Sequence, residues 1–333
     1  MKDLFHVCMT AHKEVMTRNF DDARDFTNLM ALAAFRNDTS ILADSVMSNH
    51  VHFIILSESP QKFALSLRYS LTKHFNHIYG RTGRLFDKRV FIRKLEGTKH
   101  IQMAINYCLR NGLHHGQSET AFAYPFSTCN YIFSRARGIL NPNLSYNRAE
   151  IQSFLPKNSY FPDYFAIDNQ GVISRDTFQE IRLAESWYGT PTNYIYNMNR
   201  RTTEDWIKEQ EKDDVVSDPI TLKIIEKGVQ FDSESDMLKN EMGGRASVVN
   251  MNDLEVCSVV DNDILGRYKT KSIYQLNDKR RCQIALELIN DCHINAIQAA
   301  RCVAIPISIL SDEYRPRKIR APFHISWQRK DGC

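Results

Sequence analysis

Hydrophobic and polar positions follow two rhythms along the first 112 residues. Leu4 to Ala11 is dense in β-compatible residues and reads as a strand. From Phe20 to Arg36, Phe26, Leu29, Met30, Ala33 and Ala34 recur at helical spacing, and Asn37-Asp38-Thr39-Ser40 supplies a turn. Ile41 to Met47 and His50 to Leu56 read as strands separated only by Ser48-Asn49, so they should pair antiparallel. Pro60 opens a helix with Phe63, Leu67, Leu71 and Phe75 on one face, and Gly80 closes it. Val90 to Leu95 is a fourth strand. Thr98 is the expected N-cap of a last helix, which runs to Asn111 and stops at Gly112. The order β-α-β-β-α-β-α predicts an α+β domain, a small antiparallel sheet with helices on one face.

Beyond it the pattern weakens. Asn141-Pro142-Asn143 begins a linker, and Phe154 to Trp187, with Pro156, Pro162 and many aromatics, reads as short elements packing back on the first domain. Asp278 to Asp291 regains helical spacing through Ile284, Ala285, Leu288 and Ile289; Asn295 can cap a second helix through Val303, and Pro306 can open a third through Asp312. With small Ala299 and Ala300 at the crossing, the three resemble a helix-turn-helix, followed by Arg315-Pro316-Arg317-Lys318-Ile319-Arg320. A helical bundle without DNA contacts is the plainer alternative. The chain therefore divides into an α+β domain over 1–140, a linker and accessory region over 141–270, and a mainly helical C-terminal region over 271–333.

A length of 333 residues suits roughly two domains, and 43% hydrophobic with 25% charged residues is a soluble globular composition. No run approaches the roughly 18 apolar residues of a membrane span, and the N-terminus lacks the apolar run of a signal peptide, so no membrane partner and a cytoplasmic location are expected. The eight cysteines are scattered and should be reduced; Cys282, Cys292-His293 and Cys302 match no common zinc spacing. Charge is uneven. Between Pro60 and His115 eleven Lys/Arg face two Asp/Glu, which favours a polyanionic partner over a merely solvated basic face only if other features agree. From Thr202 to Asp263 sixteen Asp/Glu face six Lys/Arg, reading as an exposed face or linker.

Two constellations carry chemistry. In His50-Val51-His52 the strand period of two puts both imidazoles on one face, where they can hold a divalent metal, although a buried or capping pair is the commoner outcome. Tyr107 and Asn111, four residues apart, share a helical face; singly, each reads as a core tyrosine and a C-cap. Taken together, Met47-Ser48-Asn49-His50-Val51-His52-Phe53-Ile54-Ile55, Gly83-Arg84-Leu85-Phe86-Asp87-Lys88-Arg89 and Tyr107-Cys108-Leu109-Arg110-Asn111-Gly112-Leu113 closely resemble the single-tyrosine HUH transposases, and more narrowly the branch related to the REP-associated tyrosine transposases. The resemblance covers about residues 4 to 133.

That resemblance implies a ferredoxin-like HUH endonuclease domain. It implies a metal-dependent single-stranded DNA endonuclease and strand transferase that cleaves through a 5′-phosphotyrosine and rejoins DNA. His50 and His52 match the histidines that bind Mg²⁺ or Mn²⁺, Tyr107 matches the nucleophile, and Asn111 matches the polar residue that helps hold the metal. Gly112 stands where the family usually has proline. Single-stranded DNA carrying a hairpin is the implied partner, and relatives include homodimers. Arg68, Lys73, Arg81, Arg84, Lys88 and Arg89 are expected to track the DNA backbone, with Tyr69, His77, Tyr79 and Phe86 as candidate stacking rings and Phe75 in the core. No Walker-type loop or dinucleotide fingerprint is present. The rival is a domesticated DNA-binding regulator on the same scaffold without strand transfer; an RNA-binding module rests on basic charge alone.

Overall fold

The computed structural model describes residues 2–11, 13–115, 117–139, 143–199 and 251–313. Its centre is a sheet of β1 (Asp3–Thr10), β2 (Ser40–Val46), β3 (His50–Ser57) and β4 (Phe91–Lys94) in the order β2-β3-β1-β4, with every neighbouring pair antiparallel. This is the expected α+β, ferredoxin-like order. The β2–β3 connection closes with Met47 N–H donating to His50 O at 2.8 Å.

Side-chain alternation sets the layers. Odd positions of β1 and β3 (Val7, Met9, Val51, Phe53, Ile55) pack under α1 (Phe20–Arg36) and α2 (Pro60–Tyr79), against Phe26, Met30, Phe63 and Leu67. Asn19 caps α1 by accepting from Asp22 N at 2.9 Å, and Gly80, at φ 61°, ends α2 in the left-handed conformation that favours glycine. These two helices share one face as expected. The other face is covered by α3 (Thr98–Leu109), whose Ile101, Ala104, Ile105 and Cys108 lie over Leu42, Ala43 and Ile54. His6, Cys8, Thr10, His50 and His52, on the even positions of β1 and β3, belong to that second layer.

Two expected helix signals act differently. Gly97 (φ 80°), not Thr98, precedes α3, and α3 stops at Leu109; after a break at Arg110, Asn111 opens a separate turn, α4 (Asn111–His114). Gly112 thus lies inside α4 and does not terminate a helix. Its smallness serves packing, since a Cβ there would stand 2.4 Å from Tyr124 Cγ. Tyr124 is fixed in turn by donating its hydroxyl to Val46 O at 2.6 Å.

The segment 143–199 does pack back on this domain. Phe161, Phe165, Ile167 and Ile173 join the α1 side of the core, while Tyr188, Tyr194 and Met198 join the α3 side. Its anchor is ionic: Arg175 Nε and Nη2 donate to the two oxygens of Asp44, each at 2.8 Å, and Thr128 and Gln179 donate to the same carboxylate.

The C-terminal helices Asp253–Ser258, Asp278–Asp291, Ala296–Cys302 and Ile307–Glu313 share a core containing Val256, Ile284, Leu288, Ala299, Ala300 and Leu310. Asn295 caps the third of these, as expected, by accepting from Gln298 N at 2.8 Å. Val15, from the β1–α1 connection, inserts into this same core. The acidic stretch expected to be a solvated face falls mostly outside the described residues, as does Arg315 to Arg320. Two of its carboxylates behave otherwise. Asp253 is buried in a bidentate pair with Arg301 (both 2.9 Å), and Asp261 pairs with buried Arg18 at 2.7 and 2.9 Å. The seven described cysteines are free thiols, and no described helix is long and apolar enough to cross a membrane.

Arg175→Met leaves Asp44 charged in a dry environment and should cost about 3–5 kcal/mol in urea unfolding, with Asp44→Leu added to it recovering part of the loss. A loss under about 1 kcal/mol would show that Asp44 is hydrated.

Candidate functional site

β3 and α3 meet where the sequence spacing placed its two constellations. His50 and His52 leave the same face of β3, and the Tyr107 ring stands edge-on to His52 with centroids 5.1 Å apart. One residue past the α3 break, Asn111 Oδ1 lies 2.8 Å from His50 Nε2. All four residues come from one chain, and all are buried: His52 and Asn111 are 0% exposed, His50 2% and Tyr107 3%.

Three further imidazoles complete the cluster. His6 Nε2 on β1 is 2.9 Å from His52 Nδ1, with the two ring planes 22° from parallel. His114 stacks on Tyr107 at 5.6 Å, and His115 packs edge-on to His50 at 4.9 Å. Spacing within one motif does not reveal them. The available signals were the alternation of His6, Cys8 and Thr10 with Val7 and Met9, and the His114-His115 pair one turn beyond Asn111.

Burial keeps His6, His52 and His115 neutral. It lowers the His6 pKa to about 3, with His100 adding a smaller effect, and the His115 pKa to about 4, with Arg301 adding to burial and Asp253 opposing. His52 is held well below its ordinary value by burial first, then by His6, His50, His115 and His114. Neutral imidazoles are the ligating form.

The donors around His50 fit a small divalent cation. Among the described residues no three His, Cys, Asp or Glu side chains form a ligating group; the Asn111 amide stands beside His50. His50 Nδ1 faces Asn49 Oδ1 at 2.8 Å while Nε2 faces Asn111 Oδ1, and a neutral imidazole has one N–H for those two oxygens. Asn111 Nδ2 meanwhile is buried without a hydrogen-bond partner among the described residues. A cation between Nε2 and Oδ1 resolves the conflict, as does turning the Asn111 amide over. The spacing suits the cation, because two ligands at right angles and about 2.1 Å from Mg²⁺ lie about 3.0 Å apart. His52 Nε2 is 4.0 Å from Cys8 Sγ.

The expected DNA-contacting residues separate into two groups. Lys73, Arg84, Lys88 and Arg89 are exposed, as are Tyr69 and His77. Arg81 is instead nine-tenths buried in an ion pair with Glu14 and donates to the Gly83 and Arg84 carbonyls, so it shapes the loop; Arg68 donates to the Asp87 carbonyl. Arg110 is buried, and so are the rings of Phe75, Tyr79 and Phe86. The loop is tied to the site through Asp87, whose N–H donates to Thr10 O at 2.8 Å and whose carboxylate accepts from Thr10 Oγ1 at 2.6 Å; Thr10 is the β-partner of His50. The C-terminal helices reach the β2–β3 connection just before His50, with Ser48 Oγ donating to Asp253 Oδ2 at 2.6 Å.

Comparison with known proteins adds a structural likeness. No family model and no curated protein matches the chain. A solved structure described as a REP-associated tyrosine transposase bound to a REP hairpin aligns over 42% of this chain and 84% of that one, with 18% identity and a TM-score of 0.34.

Two consequences are measurable. The folded state holds His6 and His115 neutral while the unfolded chain binds protons below about pH 6.5, so stability should fall as pH drops from about 6.5 toward their folded values. By pH 5 each contributes a loss of about 2 kcal/mol relative to pH 7 in urea unfolding; an unchanged stability would contradict their neutral burial. Gly112→Ala should cost about 1–3 kcal/mol and push Tyr124 off Val46, whereas an unaltered midpoint would mean that Tyr124 yields freely.

Proposed function

We propose that this protein nicks single-stranded DNA and rejoins it through a covalent link to Tyr107, with His50, His52 and Asn111 holding Mg²⁺ or Mn²⁺. The observation that carries the proposal is the meeting of Tyr107 with His52, and of Asn111 with His50, between β3 and the consecutive helices α3 and α4. A core tyrosine needs neither the His52 and His114 rings against it nor, beside His50, an Asn111 Nδ2 without a partner among the described residues.

A phosphodiester repels nucleophiles, and a tyrosine hydroxyl with an ordinary pKa near 10 is a weak one. In the cleavage step Tyr107 Oη forms a bond to phosphorus, the bond from phosphorus to the 3′ oxygen breaks in line with it, and the tyrosine proton is balanced by protonation of the released 3′-hydroxyl. A 5′-phosphotyrosine remains. Attack by another 3′-hydroxyl reverses each bond change and rejoins DNA, so no nucleotide is consumed. When bound, the divalent ion supplies neutralisation of the phosphate oxygens. His114, stacked on Tyr107, and His52, at its edge, fix the plane of the nucleophile's ring. Two nitrogens and an amide oxygen suit Mn²⁺ at least as well as Mg²⁺, which prefers oxygen ligands. Lys73, Arg84, Lys88 and Arg89 give the exposed positive charge for a DNA backbone, with Tyr69 as an exposed ring for a base.

One observation favours a second reading. The four site residues are closed to solvent, which suits a DNA-binding regulator that has kept the scaffold without the reaction.

Both readings meet in one experiment. Single-stranded oligonucleotides from the flanks of the protein's own gene are incubated with it and Mn²⁺ or Mg²⁺, then run on a denaturing gel. A covalent adduct that Tyr107→Phe abolishes, while hairpin binding persists, is the expected result. An adduct that survives Tyr107→Phe contradicts the mechanism, and hairpin binding with no adduct on any flank supports the regulator.

A further inference from the structure

The histidine motif supplies two imidazoles, yet the structure sets a third against them. The contact between His6 Nε2 and His52 Nδ1 spans 2.9 Å, and since a neutral imidazole carries one N–H, it exists in two forms. If His6 donates, the His52 proton sits on Nε2. If His52 donates, its Nε2 is a bare lone pair, the form that can ligate a metal.

We infer that His6 is a positioning residue, which accepts the Nδ1–H of His52 and so fixes the ring and tautomer in which His52 Nε2 can bind a divalent cation. The inference rests on the proposed metal site and extends it to a residue outside the motif. Strand register carries it: Cys8 is the partner of His52 across β1 and β3, and His6, two residues on, lies diagonally on the same face. The ring has little freedom to leave that place. It is 0% exposed, its plane lies within 22° of parallel to that of His52, and it is flanked edge-on by Phe91 at 5.5 Å and Tyr107 at 6.3 Å.

A second observation sets which form the metal-free pair holds. His6 Nδ1 is buried with no partner among the described residues. In the ligating form that atom bears the ring's proton, and an unpaired buried donor is costly. The metal-free pair therefore prefers the opposite form, with the His52 proton on Nε2, and cation binding has to reverse it. Cys8 Sγ, 4.0 Å from His52 Nε2, is the group facing that proton.

The test uses the full chain and two substitutions of equal polarity but different reach. A glutamine amide at position 6 extends to about where the histidine Nε2 stands, and an asparagine amide stops near Nδ1. Mn²⁺ affinity by titration with electron paramagnetic resonance should be retained within about threefold in His6→Gln and weakened about 10–100-fold in His6→Asn. Long-range ¹H–¹⁵N spectra of the unsubstituted protein should show the His52 proton moving from Nε2 to Nδ1 on addition of Mg²⁺, a readout that needs no variant to fold. Equal affinities in the two variants, or an Nε2 proton that persists at saturating Mg²⁺, overturns the inference. A wild-type protein that binds Mn²⁺ and forms the Tyr107 adduct while His6→Asn binds Mn²⁺ equally well refutes the role of His6 alone. A wild-type protein that binds no Mn²⁺ refutes the metal site as well.

Discussion

The packing of α3 onto the even-numbered face of β1 and β3 is the constraint on which the site depends. Ile101, Ala104, Ile105 and Cys108 bury against Leu42, Ala43 and Ile54, and that apolar contact fixes where Tyr107 stands along the strand. The polar residues of the same face, His6, Cys8, His50 and His52, then have no water to turn to. They pair with one another, with Tyr107 and with Asn111. Chemistry and stability are thus opposed in one layer: each neutral imidazole held there makes the fold weaker in acid.

Around this layer, buried ion pairs draw distant parts of the chain together. Asp44 with Arg175 ties the 143–199 segment to the sheet; Arg18 with Asp261 ties the C-terminal region to the β1–α1 connection, and Arg301 with Asp253 joins two of the C-terminal helices. Because Asp253 also accepts from Ser48, two residues before His50, the helical region forms part of the wall of the site.

Local rules made much of this legible in the sequence. The bounds of α1, the start of α2 at Pro60 and its end at Gly80, and the Asn295 cap follow from spacing and capping chemistry within a few residues. The strand period alone put His50 and His52 on one face. What stayed hidden depends on contacts across long stretches of chain. Gly112 reads as a helix stop until Tyr124 is seen against it, and Arg81 reads as a DNA contact until Glu14 is seen beside it. His6 reads as one polar residue in an apolar strand, because pairing with His52 is a fact of register. Asp253 and Asp261 sat in an acidic run that local charge assigns to solvent.

The central claim is spatial: His50, His52 and Asn111 share one cation beside Tyr107. A crystal of the protein grown with Mn²⁺ and read by anomalous diffraction tests it directly. The account predicts a single strong peak within ligating distance of His50 Nε2, His52 Nε2 and Asn111 Oδ1, with the Tyr107 hydroxyl facing it. A peak bound elsewhere, or His50 Nε2 and Asn111 joined by a direct hydrogen bond at saturating Mn²⁺, would contradict it.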